Sequence, residues 1–197
     1  MILIQLFGLL VVVLFYGCYF GKMLLLRRHG IKTDRMGRGT KPKRTYVIEI
    51  ILKAVTYAMA SVQVASIIIN DKWLLLIPND SARYIGIGVS ILGLIVFVIA
   101  MTTMRESWRA GIDVSQKTTI VKSGIYKLSR NPAFLGFDLF YIGLTLSFCN
   151  LLQLIFLCFS VYMLHLQILE EEKYLPTIFG KEYLNYKKTT GRYFLSF

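Results

Sequence analysis

The chain has 197 residues, of which 55% are hydrophobic and 17% are charged, and its mean hydropathy is +0.57. A soluble domain has about a quarter of its residues charged, whereas the apolar residues here form runs of about twenty, enough to cross a bilayer core of roughly 30 Å. These values exclude a disordered chain and a secreted disulfide scaffold. The net charge of +12 does not indicate nucleic-acid binding, because the basic residues lie in connectors between the apolar runs.

Five apolar runs predict an all-α, integral-membrane helical bundle, since a helix satisfies its own backbone hydrogen bonds in lipid. The first run is longer than a signal-peptide core and lacks a cleavage pattern, so we expect it to be retained. We treat residues 1–197 as one membrane domain, with three spans in 1–104 and the remaining loop, hairpin and carboxyl-terminal region in 105–197. The predicted spans are Ile2 to about Leu26, Val47–Ile69, Tyr84–Met104, Ala133–Phe148 and Leu151–Leu169.

The distribution of lysine and arginine predicts the orientation of the bundle. Eight of them lie in Arg27–Arg44, six in Arg105–Arg130 and five after the fifth span, whereas the opposite side has Lys72 and Arg83. Cytoplasmic loops carry the excess of basic residues in membrane proteins. We therefore expect a multi-pass protein with its amino terminus outside and its carboxyl terminus in the cytoplasm.

The fourth and fifth spans meet at Asn150 with almost no loop, which predicts a tight antiparallel hairpin. This hairpin brings the sequence Arg130-Asn131-Pro132 level with the glutamates 170–172. Acidic and basic groups in that arrangement suit a zwitterionic ligand that carries an ammonium and a carboxylate. A metal site is the competing interpretation, but suitably spaced histidines are lacking and we expect no metal. The three cysteines fall in apolar runs and are expected to pack as small hydrophobic side chains.

Ionisable groups within the spans are candidate functional residues, because charge is costly in hydrocarbon. Asp138 lies on one helical face with Phe134, Tyr141 and Thr145, and either a substrate-site role or an interhelical hydrogen bond would explain it. His165 is either a proton carrier or a group hydrogen-bonded to a neighbour. Glu49 and Lys53 are spaced for a structural ion pair in the second span.

Two motifs in the last third of the chain match a known pattern. The segment G-x-Y-x-x-x-R-H-P-x-Y/F is matched by Gly124, Tyr126, Arg130, Asn131, Pro132 and Phe134. The segment E-E-x-x-L-x-x-x-F-G-x-x-Y-x-x-Y, with an arginine six residues later, is matched by Glu171, Glu172, Leu175, Phe179, Gly180, Tyr183, Tyr186 and Arg192. Over about residues 117–194 the chain resembles the isoprenylcysteine carboxyl methyltransferase family and its phospholipid methyltransferase relatives.

The resemblance implies a cytoplasmic pocket for S-adenosylmethionine and a lipophilic small-molecule or lipid acceptor that enters from the membrane; no obligate protein partner is inferred. It implies that Glu171 and Glu172 hold the amino group of the cofactor. The expected cofactor-binding residues are Lys122, Gly124, Ile125, Tyr126, Arg130, Asn131, Pro132, Phe134, Glu171, Glu172 and Tyr183. The expected catalytic residues are Arg130, Asn131, Asp138, His165 and Gln167.

Two residues depart from the family pattern. Asn131 replaces the usual histidine and cannot titrate near neutral pH, and Gln167 replaces an arginine that would orient an acceptor carboxylate. The acceptor group therefore remains open between the carboxylate of an isoprenylcysteine-like compound and a lipid amine or hydroxyl, and an amine would require His165 or Asp138 as a base. Two further alternatives are an NADPH-dependent membrane reductase resembling sterol reductases and a non-catalytic lipid-binding protein. The adjacent Glu171 and Glu172 argue against the reductase.

Overall fold

A computed structural model describes residues 2–71, 74–112 and 119–194, and the basic residues Lys72 and Lys117 lie outside these ranges. Within them the protein is a bundle of α-helices, which confirms the all-α prediction. The helices are α1 (Ile2–Arg28), α2 (Lys43–Ile69), α3 (Asp80–Thr103), α4 (Pro132–Ser147) and α5 (Leu151–Thr189). Four of them, α1, α2, α3 and α5, are long and apolar enough to cross a membrane.

The helix α4 lies within one residue of the predicted span at 133–148, and it is shorter than the other four helices. It has 16 residues, or about 24 Å at 1.5 Å per residue, and Pro132 occupies its first turn. It packs most extensively on α3, where a Cβ added at Gly93 or Gly143 would overlap the backbone of the other helix. Glycine allows helices in membranes to approach this closely. The position of α4 therefore depends on α3 as well as on the turn at Asn150.

The last helix is longer than predicted, because α5 continues beyond Leu169 to Thr189 and has 39 residues. Its apolar part, residues 151–169, is about 28 Å long and accounts for the membrane crossing. The remainder, which begins with the glutamates 170–172, extends out of the apolar region. Gly180 has φ +53°, which introduces a kink. The chain then returns, and the Arg130 backbone N–H donates to the Gly191 carbonyl at 3.0 Å.

The connectors after α1 and after α3 are bound to each other and to α2. Ala110 donates its backbone N–H to Thr33 and accepts one from Arg35, at 2.9 and 2.8 Å. The fully buried Glu49 carboxylate accepts the backbone N–H groups of Gly37 and Ile112 and pairs with Lys41 at 2.6 Å. The prediction of a Glu49–Lys53 pair is therefore wrong, since Lys53 instead pairs with Asp34 at 2.8 Å. Hydrogen bonds from the backbone N–H groups of the two connectors therefore orient the Glu49 carboxylate away from Lys53, which lies on the same helix.

At the opposite end of the bundle, Arg83 joins three helices. Its side chain is 1% exposed. It donates to the Asn70 side chain at 2.5 Å and to the Ser147 carbonyl at 2.8 Å, and its guanidinium lies 5.5 Å from the centre of the Phe148 ring. Although we counted Arg83 only as a charge that indicates orientation, it is also an internal crosslink.

We expect Arg83→Met to destabilise the bundle by about 2–3 kcal/mol, because the Ser147 carbonyl and the Asn70 amide lose a charged hydrogen-bond donor. The measurement is the free energy of unfolding of the protein in detergent. Arg38→Met, at an exposed arginine of the first connector, is the control and should change it by less than about 0.5 kcal/mol. Equal effects of the two substitutions would contradict the assignment of Arg83 as a crosslink.

Candidate functional site

The segment that enters α4 lies beside α5, as the hairpin prediction requires. Arg130 donates to the Glu172 carboxylate at 2.7 Å, and Arg192 donates to the other oxygen of the same carboxylate at 2.9 Å. Arg130 also donates to the Thr190 carbonyl. The hydrogen bond from Arg192 raises its own pKa above the ordinary value, because it stabilises the charged guanidinium. Glu172 therefore joins the loop before α4, the helix α5 and the end of the described chain.

The three consecutive glutamates have three different surroundings. Glu170 faces α2 and accepts from Thr45 at 2.7 Å and from Lys173 at 2.9 Å. Glu172 is held by the two arginines. Glu171 accepts a hydrogen bond from the Gln167 amide at 3.0 Å and lines a cavity. Of the two glutamates expected to hold the cofactor, only Glu171 is presented to this space.

This space, which we call the loop cavity, has a volume of about 190 Å³. It is bounded by the connector after α3, the segment before α4 and the outer part of α5. The Arg130 Nε and the Tyr183 hydroxyl are buried without hydrogen-bond partners among the described residues. The expected cofactor-binding residues that line the loop cavity are Tyr126, Arg130, Asn131, Phe134, Glu171 and Tyr183.

The other expected cofactor-binding residues lie around the loop cavity and are not among the described residues that line it. Lys122 forms an exposed ion pair with Glu182 at 2.7 Å. Gly124 has φ +58° and packs against Thr103, so a side chain there would be strained. Ile125 lies in the short turn Gly124–Lys127, and Pro132 begins α4. These residues shape the loop that carries Tyr126 and Arg130.

Asn131, which departs from the family pattern, fastens the returning chain. Its side-chain amide donates to the Arg192 carbonyl at 3.1 Å, and its backbone N–H donates to the Ser129 hydroxyl at 3.1 Å. The Ser129 hydroxyl itself donates to the Arg192 carbonyl at 3.1 Å. The hydrogen bonds that Asn131 makes therefore do not require a side chain that titrates near neutral pH.

The remaining expected catalytic residues are not brought into the loop cavity. His165 is hydrogen-bonded to the Tyr193 hydroxyl at 2.8 Å, and one oxygen of Asp138 is buried without a partner among the described residues. Gln167 contacts Glu171 but does not belong to the described lining. His165 and Asp138 are thus not among the described residues that line the loop cavity, and Gln167 contacts the glutamate that lines it.

A second cavity, of about 170 Å³, lies within the bundle, and we call it the membrane cavity. Its walls are largely apolar and aromatic. The first two helices, to which the sequence assigned no specific role, supply much of its surface. Apolar side chains on a membrane helix are equally typical of lipid contact and of helix packing, so periodicity alone does not reveal this cavity. Its apolar and aromatic residues include Tyr16, Tyr19, Phe20, Met23, Leu52, Tyr57, Phe97, Phe137 and Leu164.

The two cavities adjoin at a set of residues that we call the shared wall. The shared wall consists of Trp108, Arg109, Gly111, Ala133, Phe134 and Glu171, each of which lines both cavities. The sequence analysis did not identify Trp108, Arg109 and Gly111, because their connector was interpreted only as a source of basic charge. The arrangement allows two ligands, one polar and one apolar, to meet at Glu171.

Burial changes the ionisation of Glu171, which lies beyond the apolar part of α5. Burial raises the pKa of Glu171 to about 7, while the hydrogen bond from Gln167 acts in the opposite direction. Near neutral pH the carboxylate is therefore poised between its protonated and ionised forms. A ligand carrying a positive charge would favour the ionised form.

Comparison with known proteins identifies a family that this chain resembles. A sequence model described as the isoprenylcysteine carboxyl methyltransferase (ICMT) family matches residues 86–177. These residues resemble the ICMT family, and we call them the ICMT family segment. This segment runs from α3 to the first turns of α5 beyond the membrane crossing, and it includes the shared wall and the glutamates 170–172.

Curated relatives extend the comparison. The protein-S-isoprenylcysteine O-methyltransferase of Saccharomyces cerevisiae is 34% identical over 110 residues, which are 54% of this chain and 46% of that protein. The Xenopus laevis enzyme of the same name is 30% identical over 53% of this chain and 37% of its own length. An Arabidopsis thaliana protein-S-isoprenylcysteine O-methyltransferase A is 23% identical, over 74% of this chain and 85% of its own. The chain spans about half the length of the first two of these relatives.

A solved structure shares the fold. The eukaryotic intramembrane Ras methyltransferase ICMT (isoprenylcysteine carboxyl methyltransferase) aligns with a TM-score of 0.55 and 19% identity, over 80% of this chain and 54% of that one. The aligned part of this chain is larger than the ICMT family segment. The fold assignment of an integral, multi-pass membrane protein therefore rests on most of the chain.

We expect Glu172→Gln to lower the free energy of unfolding by about 3 kcal/mol, because Arg130 and Arg192 lose their buried counter-charge. The second expected result is faster proteolysis of residues 190–194, which these contacts attach to α5. Denaturation in detergent and timed digestion measure the two effects. Glu182→Gln, at an exposed glutamate paired with Lys122, is the matched control. A variant with unchanged stability and unchanged digestion would contradict the role of Glu172.

Proposed function

We propose that the protein is a methyltransferase that uses S-adenosylmethionine to methylate a carboxylate on a lipophilic, isoprenylcysteine-like acceptor. The observation that carries the proposal is the shared wall between a polar cavity and an apolar one. The relatives, which are protein-S-isoprenylcysteine O-methyltransferases, supply the reaction class. Cytoplasmic loops carry the excess of basic residues in membrane proteins, and connectors of this kind bound the loop cavity. We therefore infer that the loop cavity lies on the cytoplasmic side.

The loop cavity suits the chemistry of the cofactor. Glu171 supplies an anionic oxygen for the amino group. The unpartnered Arg130 Nε and Tyr183 hydroxyl offer hydrogen bonds to its polar groups. Leu175, Ile178 and Phe179 provide apolar surface for the adenine ring. The residues present therefore fit S-adenosylmethionine.

The chain contributes to the reaction mainly by placing two ligands. When bound, S-adenosylmethionine would supply an electrophilic methyl group, which passes to a nucleophile as the sulfonium sulfur leaves in line with it. Glu171 binds and orients the donor from the shared wall, and the Trp108 and Phe134 rings beside it exclude water from the junction. Bringing two reactants together in this way removes several kcal/mol of entropic cost from the barrier.

The membrane cavity suits the isoprenoid part of the acceptor. Its aromatic and aliphatic lining from α1, α2, α3 and α4 buries an apolar chain at about 25 cal/mol per Å² of surface removed from water. An acceptor whose chain occupies this cavity has its polar head at the shared wall. It also reaches the site from the lipid, where an isoprenylated compound partitions.

The positions of His165 and Asp138 favour a carboxylate as the acceptor group. An amine must lose a proton before it attacks, and neither of these candidate bases is among the described residues that line the two cavities. A carboxylate is already deprotonated at neutral pH and needs no base. The geometry therefore supports methyl ester formation over methylation of a lipid amine.

We expect Glu171→Gln to weaken binding of S-adenosylmethionine and S-adenosylhomocysteine by at least tenfold, because the cofactor ammonium loses an ionic partner. Isothermal titration of the detergent-purified protein measures both affinities, with NADPH as a third ligand. Glu182→Gln should bind the adenosyl ligands like the wild type. Unchanged affinity in Glu171→Gln, or binding of NADPH alone, would refute the proposed cofactor site.

The raised pKa of Glu171 predicts a pH dependence of cofactor binding. Below pH 7 the carboxylate is mostly protonated, and binding of an ammonium then includes the cost of ionising it. We expect S-adenosylhomocysteine to bind about tenfold more weakly at pH 6 than at pH 8, as a pKa near 7 requires. In Glu171→Gln the affinity should be independent of pH over this range. A wild-type affinity that is equal at the two pH values would show that Glu171 does not carry the ammonium.

A further inference from the structure

The shared wall contains one cation and one anion. Arg109 is the positively charged residue and Glu171 the negatively charged residue among the described residues that line both cavities. The other members of the wall are apolar, aromatic or glycine. The proposed function assigns Glu171 to the ammonium of the donor, and Arg109 is the charged group at the point where the acceptor head arrives.

The backbone around Arg109 holds its guanidinium in place. The Arg109 Nη1 donates to the Glu106 carbonyl at 2.6 Å and to the Trp108 carbonyl at 2.8 Å. The next residue, Ala110, is bound to the first connector, and Ile112 donates to the buried Glu49 carboxylate at 2.9 Å. A cation fixed in this manner loses little side-chain entropy when it binds a ligand.

Other cations near the two cavities are differently placed. Lys53 lines the membrane cavity without reaching the shared wall, and both oxygens of Asp34 accept from it, at 3.0 and 2.8 Å. Arg130 lines the loop cavity and is bound to Glu172. Arg109 is thus the described cation that adjoins both ligand spaces.

Gln167 does not take this place. Its side-chain amide donates a hydrogen bond to the Glu171 carboxylate, and Gln167 is not among the described residues that line either cavity. A neutral amide also lacks the charge and the two parallel N–H donors that a guanidinium offers to a carboxylate. Ionic recognition of an acceptor carboxylate therefore does not come from Gln167.

We propose that Arg109 binds the acceptor carboxylate and makes the protein selective for anionic head groups. The inference rests on the proposed function and names the specificity residue of that site. A bound carboxylate oxygen forms a bond to the methyl carbon as the bond from that carbon to sulfur breaks, with its electron pair retained on sulfur. The ester product is neutral, so Arg109 loses its ionic partner and the product leaves more readily than the substrate.

The test compares three probes that share an S-farnesyl thioether chain and differ in the head group: an N-acetylcysteine carboxylate, the corresponding carboxamide and the corresponding amine. Binding to the detergent-purified full chain is measured by titration in the presence of saturating S-adenosylhomocysteine. We expect the wild type to bind the carboxylate at least tenfold more tightly than the other two. In Arg109→Gln we expect this preference to fall below twofold, while the affinity for S-adenosylhomocysteine stays within twofold of the wild type.

Arg105→Gln is the matched control, because Arg105 is an exposed arginine on the same connector and is not in the described lining of either cavity. This variant should retain the wild-type preference for the carboxylate. Arg109→Lys keeps the charge without the planar pair of donors, and we expect an intermediate preference. Its binding of S-adenosylhomocysteine reports directly that the fold is intact.

Three outcomes would overturn the inference. The first is a carboxylate preference in Arg109→Gln that equals that of the wild type, and the second is a loss of S-adenosylhomocysteine affinity in this variant, which would assign Arg109 to the donor site. The third is a wild-type protein that prefers the amine or the carboxamide probe. The proposed function is tested separately by formation of a methyl ester on the carboxylate probe from S-adenosylmethionine. If the carboxylate preference depends on Arg109 but no ester forms, the proposed reaction fails while the recognition of the carboxylate stands.

Discussion

The carboxylate of Glu172 is the group on which the polar half of the molecule depends. Two guanidinium groups converge on it, one from the segment that enters α4 and one from the returning chain. Successive residues on a helix point about 100° apart, so the neighbouring glutamates must face elsewhere. Because Glu172 satisfies the arginines, Glu171 can face the loop cavity with the neutral Gln167 amide as its hydrogen-bond partner among the described residues. The ion cluster of Glu172, Arg130 and Arg192 therefore holds the loop cavity closed on this side. It also leaves Glu171 as the glutamate that faces the cavity.

A second buried carboxylate, Glu49, has a similar effect on the other wall. It binds backbone groups of two connectors that would otherwise be loops over the membrane cavity. Unpaired backbone groups in such a place are costly, and this cost fixes the path of both connectors. The shared wall is thus held from one side by α4 and α5 and from the other by α2. A site held in this way needs little rearrangement to receive its ligands.

Composition and periodicity are sufficient to predict the helical membrane architecture and the adjacency of Arg130 and the glutamates. The resemblance to the ICMT family instead comes from two sequence motifs, and the family model matches residues 86–177. They are insufficient for α5, because the charged residues after Leu169 end the apolar run without ending the helix. The Glu49–Lys53 prediction failed because helical spacing makes a contact possible, whereas the buried connectors decided where the carboxylate points. The membrane cavity and Arg109 depend on contacts between distant segments, and no local pattern in the chain encodes them.

The short length of α4 has a consequence for the surrounding lipid. A helix of about 24 Å cannot match a hydrocarbon layer of roughly 30 Å, so either the bilayer thins beside it or one of its ends lies below the surface. Phe134, which belongs to the shared wall, is in the first turn of this helix. If the bilayer thins or the amino-terminal end of α4 lies below the surface, the shared wall lies closer to the hydrocarbon than a full-length span would place it. Membrane thickness should therefore influence access of the acceptor, and a thinner bilayer shortens the path of its head group.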